Sequence, residues 1–366
     1  MRSWAAKQAR GAASSANGAD RGLHADGGHE TRPATLREGL AMLTRREMLV
    51  FAGAGAAWAT AVLSGRDARA AIAAQTPINF DVPRGACDCH AHVFPDPARF
   101  PFTPNRVYTP SLATANNLME LQRLLRLDRV VIIQPSVYGT DNSAQLDAIR
   151  QLGPQRARGV VIADEKSTDA QLDDMDKAGV RGVHVNLAVG GAVDPATSAR
   201  RLQDAVQRVA GHNGWHVQTQ VQLAAIDALK DQLMNAPVPL VFVHFGGARA
   251  ELGVEQPGFA ALLELARSGK AYVKVSGAHS ISKRAPDFPD AAPLAQALIQ
   301  TNPDRILWGT NWPHPSSSGN RPAQEVSPNR PIDDGRILNE LPKWAPDAAV
   351  RHKILVDNPA RLYGFG

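Results

Sequence analysis

From Ala86 onward one hydrophobic pattern recurs. A short β-branched run ends in a polar turn, and a stretch with apolar residues at helical spacing follows. Eight runs read as strands: 86–94 (ACDCHAHVF), 129–137 (RVVIIQPSV), 157–164 (ARGVVIAD), 180–187 (VRGVHVNL), 215–222 (WHVQTQVQ), 239–246 (PLVFVHFG), 271–277 (AYVKVSG) and 305–311 (RILWGTN). Helical stretches such as NNLMELQRLLRL, DAQLDDMDKAG, SARRLQDAVQRVA and PGFAALLELARSG lie between them. Gly179, Gly211 and Gly269 fall where three of these close, a position that favours glycine. Strands alternating with helices predict parallel pairing and right-handed crossovers. Eight such units predict an α/β fold, a distorted (β/α)8 TIM-type barrel forming a single domain over 79–366. A doubly wound open sheet would want a glycine-rich phosphate loop after its first strand, and here that strand ends in two histidines.

Period-2 alternation sorts each strand into two faces. On the first, Asp88, His90 and His92 share one side and Cys87 and Cys89 the other; the histidine side is assigned to the barrel interior. The same test places Gln134, Ser136, His184, Asn186, Gln218, Gln220, His244, Lys274, Ser276 and Asn311 inside. Polar residues thus converge from seven of the eight strands, where an interior built for stability alone would hold Val, Ile and Leu. Catalytic groups in such barrels sit at the C-terminal strand ends, which singles out His90, His92, His244 and Asn311. Two histidines two apart on a strand suit a shared metal or a shared substrate oxygen. Lys274, facing inward, needs a partner. His212, His216 and His352 are assigned to structure.

Charge narrows the choice of partner. Of 40 Lys/Arg and 35 Asp/Glu, residues 1–70 hold ten and six, leaving 30 against 29. The barrel segment is almost neutral, with no basic stripe interleaved with aromatics, so nucleic acid is excluded as its partner. The excess base belongs to a segment with the layout of an export signal. Arg45 and Arg46 precede an apolar run, Leu49 to Leu63, and then ARA at 68–70. The run is shorter than the roughly 20 residues of a membrane span. Residues 42–70 resemble a twin-arginine signal, so the expected location is periplasmic, with membrane contact only during export. A membrane anchor is the alternative. Residues 1–41 read as disordered, or as preceding a true start at Met42. Cys87 and Cys89 on one strand point the same way and are poorly placed to bond each other.

The runs CDCHAHVFPDPARFPF, YTPS, QPSVYGTDN, VHFGG, KVSG, WGTNWPHP and DNPARLYGF resemble the amidohydrolase-2 family. They are most similar to its 2-pyrone-4,6-dicarboxylate lactonase-like branch, and the resemblance spans about residues 79–366. It implies a hydrolase that opens a small lactone or related cyclic ester. In many members a divalent metal, zinc or manganese, sits on the paired histidines; the lactonase branch is understood to work without one. The resemblance places His90, His92 and His244 around a substrate carbonyl, and these three would hold a metal if one is used. It gives Tyr108 and Ser136 to substrate holding. A metal-dependent decarboxylase of the same fold and a non-catalytic periplasmic binding protein are the rival readings.

The departures matter. His184 stands where an arginine is expected, Gly247 follows the strand-6 histidine in another arginine position, and His279 and Ser280 replace an aromatic–arginine pair. Arginine's rigid fork is hard to replace in binding a carboxylate, so a planar dicarboxylate is not the expected substrate. Arg249, Lys274, Lys283 and Arg284 remain for one acidic group, against the plainer reading of the loop residues as solvated charge. Asn311 stands where the pattern most often has the aspartate that activates water. Three accounts follow, in order of preference. His244 or His314 is the base; or a carboxylate arrives from elsewhere (Asp88, Asp164, or Asp333 and Asp334 after the long 313–331 loop); or the protein only binds.

Overall fold

The computed structural model describes residues 76–187, 194–212, 214–316 and 321–366. These lie in one compact unit, Ala56–Gly366; a second unit, Met1–Gly55, falls outside the described residues, as does the whole signal-like segment. Eight parallel strands form one sheet in sequence order: β1 Cys87–Ala91, β2 Arg129–Ile133, β3 Ala157–Val161, β4 Val180–Asn186, β5 His216–Gln220, β6 Leu240–Phe242, β7 Ala271–Ser276 and β8 Ile306–Gly309. Each falls inside a run expected from the sequence. Backbone bonds just past the strand ends close the ring: Asn311 N donates to His90 O (2.7 Å) and His92 N to Trp312 O (2.9 Å). Gly309 permits that closure, because a Cβ there would stand 2.7 Å from His90 N.

Helices wrap the outside, among them α1 Ala115–Leu125, α2 Ser143–Leu152, α3 Asp169–Lys177 and α4 Pro195–Val209. Thr114 with Asn117, and Thr168 with Gln171, form reciprocal caps that satisfy the first orphan N–H groups of α1 and α3. The apolar layer divides in two. The larger part lies between sheet and helices, with Val130, Ile132, Phe242 and Trp308 against Leu118, Leu121 and Leu262. The smaller fills the barrel: Cys87, Cys89, Val131, Ile133, Val160, Val241 and Leu307 pack on Leu362, Tyr363 and Phe365 of the C-terminal tail. Arg158, at the N-terminal end of β3, stacks on Phe365 (4.5 Å) and donates to Tyr363 O (3.0 Å), so the tail plugs the bottom of the barrel.

This division corrects the facing assigned to β1. Cys87 and Cys89 point into the barrel, while Asp88 points outward toward Gln122 of α1. The cause is a β-bulge: Asp88 pairs with Val130 but Ala91 with Ile132, so β1 carries one extra residue. The bulge reverses the alternation and lets His90 and His92 face inward as well. Asp88 supports it from behind, accepting from His90 N (3.0 Å), Thr310 N (3.0 Å) and Thr310 Oγ1 (2.6 Å). Burial holds the Asp88 carboxyl up at about 6, against those bonds that favour its charge.

Candidate active site

The barrel mouth holds a cavity of about 170 Å³, lined from the C-terminal strand ends. His90, His92, His184, His244, His279 and Asn311 form its inner wall. Tyr108, Ser136, Gln134, Asn186 and Gln220 continue it, and Ser280, Pro315 and Arg330 lie at its edge. The His90 ring sits 5.1 Å from His92 and 4.7 Å from His244, centroid to centroid. Among the described residues, Asp and Glu are absent from the lining.

The backbone is bent to make this cluster. His244, Asn311 and His314 all have positive φ (50°, 67° and 63°), a region that Asn visits more readily than most residues. Gly277, with φ 59°, lets two of them meet: a Cβ there would lie 2.9 Å from His244 Nδ1 and 3.3 Å from the Asn311 side chain. Gly247 is fixed too, since its Cβ would meet Val221 O at 2.1 Å. The arginine expected after the strand-6 histidine therefore has no room in this chain.

Hydrogen bonds fix which nitrogen carries the proton in two of the rings, His92 and His244. His92 Nδ1 lies 2.8 Å from Ile133 O, and a carbonyl only accepts, so Nδ1 is the N–H and Nε2 the lone pair. His244 Nδ1 faces Ser276 O (3.2 Å) and Ser276 Oγ (3.1 Å), which leaves Nε2 as its lone pair. Asn311 bridges two rings: its side chain bonds His92, and its Nδ2 lies 3.3 Å from His279 Nε2. An amide can donate to imidazole lone pairs and an ionised carboxylate cannot. Asn311 donates in this way to His279, while its bond to His92 favours the charged ring and is outweighed there by burial.

Burial keeps these rings neutral. It lowers His92 and His244 to about 4 and His184 to about 3, and it depresses His90 and His279 strongly. The Lys274 ammonium beneath adds to the effect on His90.

Several expected site residues stand elsewhere. Lys274 lies below the cavity floor, fully buried, with Nζ bonded to Cys89 O (2.6 Å) and Gln218 Oε1 (2.5 Å). It does not line the pocket, because its position on β7 is one strand step deeper than Ser276. His314 stands behind the wall. Its ring meets the His279 ring at 4.8 Å, and its Nε2 pairs with buried Asp334 (2.9 Å). Asp333 caps the following helix and binds Thr76, and Asp164 holds the turn at Lys166 and Ser167. Arg249 pairs with Glu251 at the surface, and Lys283 and Arg284 are exposed. Among the described residues the cation at the cavity is Arg330, which the sequence reading missed. It is carried there by the 313–331 loop, which pairs Val326–Ser327 with Thr109–Pro110. The same ribbon positions Tyr108, whose phenol bonds Ser136 and is held protonated by burial.

A divalent metal on His90, His92 and His244 does not fit this arrangement. Among the described residues no three His, Cys, Asp or Glu side chains stand where they could hold an ion. Among the described residues the lining holds no carboxylate to offset a dication, and the Lys274 ammonium lies beneath it.

The family model described as Amidohydrolase matches residues 87–365. The chain is 36% identical over 296 residues to a 4-sulfomuconolactone hydrolase from Rhizobium radiobacter, covering 80% of this chain and 94% of that one. It is 36% identical over 293 residues to a 2-pyrone-4,6-dicarboxylate hydrolase from Comamonas testosteroni, covering 78% and 92%. Its fold is similar to a solved structure from Pseudomonas putida described as a putative 2-pyrone-4,6-dicarboxylic acid hydrolase. That match has a TM-score of 0.63 and 31% identity, over 78% of this chain and 99% of that one. Sequence match, barrel and site position agree: the chain belongs to the amidohydrolase family.

Proposed function

We propose that this protein is a hydrolase that opens a small lactone bearing one anionic group, by attack of water on the ring carbonyl. The lactone-opening class rests on the family and on the two hydrolase relatives. The choice of base rests on one observation. His244 lines the cavity with its Nδ1 committed to Ser276, so its Nε2 lone pair is left for water, while the Asn311 side chain occupies His92. His244 takes the proton as water attacks, then returns it to the ring oxygen as the acyl–oxygen bond breaks. N–H and O–H donors of the wall receive the developing oxyanion, Ser136 Oγ among them.

Arg330 supports an anionic substituent, and as the one Lys or Arg of the lining among the described residues it argues for one such group. The dicarboxylate named for the Comamonas relative carries two. A panel of lactones with no, one or two carboxylate or sulfonate groups, followed by acid release, tests this reading. The best kcat/KM is expected with one. Equal rates for uncharged and charged rings would remove Arg330 from the account, and no turnover by folded protein would remove the hydrolase. We also infer export through residues 42–70, supported by the paired arginines, apolar run and cleavage pattern; a reporter fused behind this segment that stays in the cytoplasm would refute it.

A further inference from the structure

Lys274 is a buried cation in the middle of a barrel, and the mechanism above gives it no task. Two of its donors are engaged, by Cys89 O at 2.6 Å and Gln218 Oε1 at 2.5 Å, and the Tyr363 ring stands over the ammonium with its centroid 5.7 Å from Nζ. The ammonium is thus unavailable to substrate and acts through what it holds. One of those contacts leads back to the cavity. Lysine only donates, so the Gln218 atom facing it must be the carbonyl oxygen. The Gln218 amide nitrogen is then turned toward His184, 3.2 Å from Nδ1. An N–H donor facing Nδ1 requires a lone pair there, which puts the proton of neutral His184 on Nε2.

We propose that Lys274, acting through Gln218, fixes His184 as the Nε2–H tautomer and so presents a hydrogen-bond donor to the substrate. His184 lines the cavity where the resemblance leads one to expect an arginine, so the relay restores a donor at that position without a charge. Lys274 and Gln218 are positioning residues: neither touches substrate, and Lys274 also ties down the carbonyl of Cys89 at the β1 bulge. The competing partner is the Gln218 backbone carbonyl, which draws a proton onto the His184 ring. A ring donating to it from Nδ1 would reverse the assignment. Burial keeps His184 neutral, so its ring has one tautomer to choose; it also lowers Lys274 to about 7, so the ammonium holds the relay in this sense below that pH.

The test is nitrogen NMR of the histidine rings in the full chain, with His184 assigned by loss of its signals in His184→Gln. Wild type is expected to show His184 protonated at Nε2 and bare at Nδ1. Gln218→Glu should reverse this, because a carboxylate accepts from both Lys274 and His184 Nδ1. KM for an anionic lactone should then rise roughly tenfold, the size of one lost hydrogen bond to a charged group, with kcat within about threefold. Lys274→Met should leave His184 a mixture of tautomers. A wild-type ring protonated at Nδ1 overturns the proposal, as does a Gln218→Glu protein with unchanged tautomer and KM. If neither variant folds, the wild-type spectrum alone decides. The KM comparison rests on the lactone reading and the spectrum does not, so failure of either is told apart.

Discussion

Gly277→Ala probes the geometry of the site at a position that touches no substrate. Gly277 sits in the left-handed region (φ 59°, ψ 52°), where an alanine is less stable by about 1–2 kcal/mol. Its new Cβ would stand 2.9 Å from His244 Nδ1, so the ring must retreat about half an ångström to reach ordinary contact. The bond from His244 Nδ1 to Ser276 O is already 3.2 Å, and that retreat breaks it, at about 1 kcal/mol. The expected destabilisation is about 2–3 kcal/mol, or a fall in Tm of roughly 3–5 °C for a domain of this size. Activity should fall further than stability explains. A base displaced by half an ångström, with its tautomer unlocked, loses about 10- to 100-fold in kcat while KM changes less than about threefold. Thermal unfolding and steady-state hydrolysis measure the two effects separately. A destabilised variant with full kcat would refute the claim that the His244–Asn311 approach serves the chemistry. A variant as stable as wild type would refute the geometry itself.

Four further predictions follow. Asn311→Asp replaces the amide that donates to His279 and bonds His92 with a charged acceptor; histidine NMR should show His92 titrating above about 4, with kcat lowered at least about tenfold, and an unshifted His92 contradicts the bridging role. The base must be neutral and its folded value is depressed, so kcat/KM should be flat from neutral pH down to about 5 and fall as pH drops through about 4; an acid limb near 6.5 would mean a different group. The same sign governs stability: buried His216, lowered to about 3, favours the fold above pH 6.5 and progressively loses that advantage below it, by up to about 4–5 kcal/mol, so His216→Phe should flatten the acid side of the unfolding curve. Arg330→Met should raise KM for a singly charged lactone about tenfold or more and leave an uncharged ring untouched; an equal loss on both would place Arg330 in a structural role.

The barrel was legible because its strands are buried on both faces, so each reads as a β-branched run against polar helices and turns. His90, His92, His244 and Asn311 were legible because polar residues at the C-terminal ends of such strands conflict with a stable core. Asp88 was not: alternation assigns it to the histidine face, and one extra residue in β1 reverses that parity without any mark in the sequence. Arg330 was hidden in a long loop whose path depends on the ribbon between Thr109–Pro110 and Val326–Ser327, a contact more than 200 residues apart in the chain. His314 looked like a base because it follows Asn311 so closely. A cavity wall lies between, and only packing shows it. Lys274 was read correctly as needing a partner, but its partners are Cys89 and Gln218 rather than a ligand.

The central claim is that water adds to a lactone carbonyl in this cavity, with His244 as the base. Turnover of a singly charged lactone in water enriched with oxygen-18, read by mass spectrometry of the product, tests it most directly. The account predicts one heavy oxygen in the new carboxylate and none in the released hydroxyl, with label uptake lost in His244→Gln. An unlabelled product, as from an isomerisation, or label on the hydroxyl carbon would contradict it.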